Sequence, residues 1–230
     1  MVARFVRDLH LPISRERLET YRPIGGSDLE MVTTYFWNVA MSEALYPTIQ
    51  VLEVTLRNGI HSAASGVYQT PFWFDRPNLL LPRELDAVIE ARSDLAQSNK
   101  PHNAGRIVAA LRFGFWTSLR SRPYERRLWR ANNLALLRVA FPHLPRRYRA
   151  RNSVWQRGDD VRRLRNRVMH AEPVWNRQAL LSEHGEILDA IGWVSPPLLE
   201  TITRLDRFPD VYQNGRPRIE ATIKTQLGIR

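Results

Sequence analysis

Apolar residues recur three to four positions apart along most of the chain, and no stretch alternates apolar with polar residues as a half-buried strand does. That spacing points to one fold class, all-α, built as a bundle of packed helices joined by short loops. Ser27-Asp28-Leu29-Glu30 is a capping box. Ser27 is placed to accept from the helix start and Glu30 to reach back to Ser27. It opens a long helical stretch with Met31, Tyr35, Val39, Ser42 and Tyr46 on one stripe. Pro47 is expected to kink or restart this stretch, and Ile49, Leu52, Leu56 and Ile60 continue it to about Gly66.

Further helices are expected from Pro82 to about Gln97, supported by Leu85, Val88, Ile89 and Leu95, and from Ala104 to Leu119. Another should open at Pro123 and end before Pro142, and one should run from Asn152 to about His170. Two weaker ones are placed near Leu180–Ile191 and Pro197–Leu205. Residues 1–26 read as an N-terminal leader with one short helix near Ser14–Tyr21, and 27–207 as the helical domain. Residues 208–230 read as a polar, irregular C-terminal tail. The aromatic residues Phe113, Phe115 and Trp116 fall at core spacing, although base stacking beside Arg112 is the alternative. Trp73 and Phe74 read as loop anchors.

The chain has 230 residues, 43% of them hydrophobic, which is enough to bury a substantial core. It has no cysteine, which excludes disulfides, thiolate metal sites and cysteine nucleophiles. No run approaches the roughly 18–20 apolar residues of a membrane span, and the first residues lack a signal-peptide core. The expectation is a cytoplasmic protein with no membrane partner.

The net charge is +11, and 32 of the 34 basic residues are arginine. Residues 101–170 hold 17 arginines against three acids, Glu125, Asp159 and Asp160, an excess of +14 that surpasses the charge of the whole chain. Such clustering suits a polyanion, because the guanidinium fork matches phosphate and stacks on bases. An ordinary solvated arginine face is the competing reading.

Within this region, residues 162–173 read Arg-Arg-Leu-Arg-Asn-Arg-Val-Met-His-Ala-Glu-Pro. A histidine can take and give a proton near neutral pH, and an adjacent arginine can hold a phosphate and offset its developing charge. Those are the needs of RNA transesterification. A base removes the 2′-OH proton, the oxygen attacks phosphorus, and an acid protonates the leaving 5′-oxygen, with no metal required in principle. Asn166 and His170 are four apart and share a helix face. Arg165 and His170 are five apart, about 140° around an ideal helix. Either the helix ends or distorts near His170, or Arg165 reaches around. Pro173 favours a terminus there. The other histidines, including His61, His102, His143 and His184, show no metal-ligand spacing, so neither a metal nor another cofactor is expected.

Leu164 to Val174 resembles the signature of the Abi-like family of phage-resistance proteins, which belongs to the HEPN superfamily. Arg165, Asn166 and His170 match its Arg-Asn-…-His pattern in register. Similar blocks precede it in order: Tyr35-Phe36-Trp37-Asn38 with Leu45-Tyr46-Pro47, Leu52-Glu53 with Leu56 to Ile60, and Phe113-Gly114-Phe115-Trp116. The resemblance spans about 28–176 and implies a HEPN-type helical bundle with additional helices. It implies an endoribonuclease acting in phage defence or as a toxin, with Arg165, Asn166 and His170 catalytic. Glu53, Arg57 and Asn58 would support the site, and Arg162, Arg163, Arg167 and Arg112 would contact RNA. The family often carries a second histidine where this chain has Ala171, which implies a cleft shared by the two chains of a homodimer. Two rivals remain. One is a non-catalytic RNA-binding protein of the same fold, held by a small noncoding RNA as antitoxin or scaffold. The other is an interaction module whose basic face is merely solvated.

Overall fold

Glu30 N donates to Ser27 Oγ at 3.2 Å, and Ser27 N donates to Glu30 Oε2 at 2.9 Å, so the capping box forms as its residues require. It starts the longest helix of a computed structural model that describes residues 1–129, 135–146 and 161–229. Among the described residues there is no strand; the chain is all-α. In order, the helices are α1 (Val2–Ile13), α2 (Arg15–Glu19), α3 (Asp28–Tyr68), α4 (Pro82–Gln97), α5 (Ala104–Ala110), α6 (Phe113–Ser118) and α7 (Ala135–Ala140). They continue with α8, helical over 161–169, then α9 (Leu180–Val194), α10 (Pro196–Leu205) and α11 (Phe208–Leu227). Residues 152–160 of the helix expected before His170 lie outside the described residues. So do Arg130, Arg147, Arg149, Arg151 and Arg157 of the basic region, with Asp159 and Asp160.

The chain divides into two compact units. The first comprises Met1–Ile49, Arg163–Gly185 and Ile202–Arg230; the second comprises Gln50–Arg162 and Glu186–Thr201.

The first unit corrects the reading of both chain ends. Val6, Leu18, Met31, Val32 and Ile223 form one buried cluster, with Phe5, Leu9, Ile13, Tyr35, Phe36, Ile219 and Leu227 packed against it. The expected leader is therefore a pair of core helices. The expected tail is a 20-residue helix, closed by Gly228 in the left-handed region at φ +63°. Ile219, Ile223 and Leu227 recur every four residues and supply its inner face. Pro209 falls in its first turn, where a missing N–H is harmless. Gly215 lets α11 approach α3, because a Cβ there would meet Trp37 at 3.2 Å. The Trp37 indole N–H donates to Val211 O at 2.9 Å.

Along α3 the buried stripe differs from the expected one. Met31, Thr34, Asn38, Met41, Leu45, Ile49 and Leu52 are buried, whereas Val39 and Tyr46 are exposed. Two buried hydroxyls of α3 are answered by its own backbone: that of Thr34 donates to Glu30 O, and that of Thr48 donates to Leu45 O. The helix continues through Pro47, which lies on its exposed side.

In the second unit, Trp73 and Phe74 are buried in a 3₁₀ turn, and Phe113, Phe115 and Trp116 are buried as the core spacing implied. The helix expected over 104–119 is two, α5 and α6, because the chain extends at Leu111 and Arg112. The helix expected from Pro123 opens as a wider π turn over Glu125–Trp129. On α4 the boundaries match expectation, but Leu85 and Ile89 are exposed, and Glu84, Val88, Ala91 and Leu95 are buried. Buried Glu84 accepts from the Tyr124 hydroxyl at 2.7 Å, and that hydroxyl accepts from Leu81 N at 2.8 Å. Burial, followed by the Glu84 contact, raises the Tyr124 pKa. Tyr124→Phe removes both bonds and is expected to lower unfolding stability by about 1–3 kcal/mol in urea denaturation, with Glu84 left short of a donor.

Candidate functional site

The segment carrying Arg165, Asn166 and His170 ends α8 in a built turn. His170 N donates to Asn166 O at 2.9 Å and is the last residue in helical hydrogen-bond register. Ala171 then takes φ +53°. Its N–H donates to Val168 O at 3.2 Å, and Glu172 N donates to Arg167 O at 2.8 Å. This pair of bonds, one reaching back three residues and one five, is the Schellman closure of a helix C-terminus. Of the alternatives left by the spacing, the helix ends at His170. Leu164 is fully buried and anchors α8, Arg165, Asn166 and Arg167 are half-buried, and Arg163 and His170 are exposed.

Three side chains from distant or local sequence brace this corner. Arg17 of α2 donates through Nη2 to Ala171 O. Arg167 donates through Nη1 to Pro173 O at 3.0 Å and lies 3.9 Å from the Glu172 carboxylate. Asn38 of α3 is 3% exposed, and its Oδ1 accepts from Val174 N at 2.6 Å and from Trp175 N at 3.1 Å. The turn is thereby fixed from both sides, while the His170 side chain is left to solvent. Arg167, expected on RNA, is engaged in the turn itself.

The expected supporting residues belong to the second unit. Glu53 and Arg57 are half-buried on α3 and Asn58 is exposed, with Arg57 Nε 3.4 Å from Asn58 Oδ1. Arg112, also in that unit, pairs with Glu90 at 3.0 Å and keeps most of its surface exposed. Arg162 ends the Gln50–Arg162 part of the second unit and Arg163 begins the Arg163–Gly185 part of the first, adjacent along α8. Among the described residues no three His, Cys, Asp or Glu side chains gather as a metal site, and no helix is long and apolar enough to cross a membrane.

One titratable pair escaped the sequence reading. His184 of α9 and Asp206 are 6% and 3% exposed, with Nε2 2.8 Å from Oδ2. The His184 ring lies 4.6 Å from that of Phe208, and Asp206 also accepts from Phe208 N at 3.0 Å. The two residues stand far apart in sequence with no motif between them, and no local signal announces the pair. Burial lowers the His184 pKa below 6.5 despite the carboxylate. In the second unit burial likewise lowers that of His61, whose Nδ1 accepts from the Trp73 indole at 3.0 Å.

Both histidines bind a proton more weakly folded than unfolded. Their contribution to stability is complete above about pH 6.5 and is lost as pH falls below it. Carboxylates lowered by their neighbours, such as Glu30 held by Ser27, act only below their ordinary value of 4.5. Thermal melts between pH 7.5 and 5.5 (roughly the histidine range) are therefore expected to show a falling Tm. His61→Gln and His184→Gln should each flatten that slope, and an unchanged slope in both variants would remove the assignment.

No family model, no curated protein and no solved structure matches this chain.

Proposed function

We propose that the chain is a HEPN-type, Abi-like endoribonuclease that cleaves RNA through its own 2′-oxygen, acting in phage defence or as a toxin. One observation carries the reading. An exposed histidine ends a helix whose last turns bear Arg165 and Asn166, and the turn beyond it is braced by Arg17, Arg167 and Asn38. A rigid corner with a solvent-facing imidazole suits general acid–base work, which needs a positioned group rather than a mobile one.

In this reading His170 moves the proton of the 2′-OH or of the leaving 5′-oxygen. Arg165 neutralises charge at phosphorus, and Asn166 orients the histidine or the phosphate. Arg162 and Arg163 track the phosphate backbone, and Arg167 also holds the turn. Ala171 has no protic group, so the second acid–base partner comes from His170 of a second copy, and the active species is a homodimer in the cytoplasm.

The test is a cleavage assay on tRNA and mRNA with EDTA present. The expected products carry 2′,3′-cyclic phosphate and 5′-hydroxyl ends. Other end chemistry, or no cleavage, removes the reading. Ala171 also favours a second reading, RNA binding without chemistry, with a small noncoding RNA as the bound partner. It predicts a discrete copurifying RNA whose affinity is salt-sensitive and survives His170→Ala.

A further inference from the structure

Between α1 and α2, within the first unit, lies an open cleft of about 350 Å³ whose cationic walls are not part of the clustered basic region. Ala3, Arg7 and His10 line it from one stripe of α1, four and three residues apart, and Arg15, Glu19 and Arg22 line it from α2 and the turn beyond. Val6 forms its apolar floor.

The charges divide into two sets. Arg22 is occupied: it bonds Glu19 at 2.8 and 3.0 Å, Asp28 at 2.8 Å and Gly26 O at 3.1 Å, so it answers the two carboxylates of the lining. Arg7, His10 and Arg15 have no ion-pair partner among the described residues, and Arg7 and Arg15 are exposed. Glu16 and Glu19 act on Arg15 and His10 only through space, so two guanidinium forks and an imidazole without a hydrogen-bonded carboxylate surround one opening, a donor set matched to phosphate oxygens.

The occupant can be narrowed further. The cleft is open, which suits a chain passing through better than a small molecule enclosed. A membrane surface is disfavoured, because Val2, Phe5, Val6, Leu9 and Ile13 turn the apolar face of α1 into the core cluster and leave Leu11 as the one large apolar side chain of that helix that is exposed. Finally, α2 presents Arg15 and Glu19 to the cleft while Arg17, on its other side, bonds Ala171 O beside His170. One short helix thus serves both the cleft and the His170 corner.

We propose that the α1–α2 cleft is a phosphate-binding subsite in which Arg7, His10 and Arg15 take a backbone phosphate of the RNA, away from the reacting bond. This rests on the RNA reading above.

The test uses the full chain with a short 2′-O-methyl oligouridylate, which cannot be cleaved through its 2′-oxygen. Binding is followed by fluorescence anisotropy over a salt series, and inorganic pyrophosphate is titrated separately while the His10 ring resonances are watched. Arg7→Ala and Arg15→Ala are each expected to reduce the slope of log affinity against log salt by about 0.7. Arg4→Ala, one turn earlier on α1 and outside the lining, should leave it unchanged. Pyrophosphate should shift His10 in the wild type and not in R7A/R15A. If the wild type binds the oligonucleotide and R7A/R15A keeps the same slope, the subsite is overturned while the RNA reading stands. If the wild type does not bind RNA, that reading fails and pyrophosphate decides the cleft. A His10 shift lost in R7A/R15A keeps a phosphate subsite, and no shift overturns it.

Discussion

His170→Ala is expected to lower kcat/KM for RNA cleavage by about 10²–10⁴-fold, the range for loss of a positioned general acid or base, with little change in RNA affinity. The substitution is a clean one. His170 is exposed, and its structural bond is made by the backbone N–H to Asn166 O, which alanine retains. Unfolding stability should stay within about 0.5 kcal/mol of wild type, so loss of activity cannot be blamed on loss of fold. Single-turnover cleavage with EDTA, read beside anisotropy of an uncleavable RNA, separates the outcomes. Activity equal to wild type sinks the catalytic assignment. A parallel loss of affinity would make His170 a binding residue instead.

The second large effect is expected at Asn38. Its Oδ1 is the shared acceptor of the N–H groups of Val174 and Trp175, at a position 3% exposed. Asn38→Leu preserves the volume roughly and leaves two backbone donors without that acceptor, each worth about 1–3 kcal/mol when buried and unmet. The first unit is expected to lose about 2–5 kcal/mol. A chain of two compact units can unfold in two steps, so the loss is read on the urea transition that the substitution moves, as a lower midpoint at unchanged slope. A midpoint shift worth less than about 0.5 kcal/mol, the ordinary scale of a surface substitution, would mean that another group holds the 174–175 backbone.

Much of the helical frame was legible because its signals are local. The Ser27–Glu30 box and Pro82 at the head of α4 each act within a turn or two. Failures came where a local pattern had two solutions. Tyr35, Val39 and Tyr46 make a plausible apolar stripe, but the interior takes the neighbouring one, which includes Thr34 and Asn38. Polarity hid that face, and the bonds of Thr34 and Asn38 help explain why it can be buried. The ends of the chain were misread for a related reason. Neither α1 nor α11 can bury its apolar side alone, and each becomes a core helix only against the other and α3.

The candidate site divides along the same line. Arg165, Asn166 and His170 were legible as a motif, and the helix stop near His170 was one of two stated possibilities. The means of stopping was not legible. A left-handed residue is expected to be glycine or asparagine, and here it is Ala171, held by Arg17 from 154 residues away along the chain. The brace from Asn38 comes from 136 residues away. Contacts of that range leave no periodic trace in a single sequence.

The shared cluster of α1 and α11 also sets a schedule. During synthesis α1, α2 and the start of α3 are made well before Ile219, Ile223 and Leu227, with which they pack. Until then the unit that braces His170 lacks one wall of its core, and domains are completed as units during synthesis. The corner gains the last wall of its supporting core only when residues 219–227 have been made, so it is completed late in synthesis.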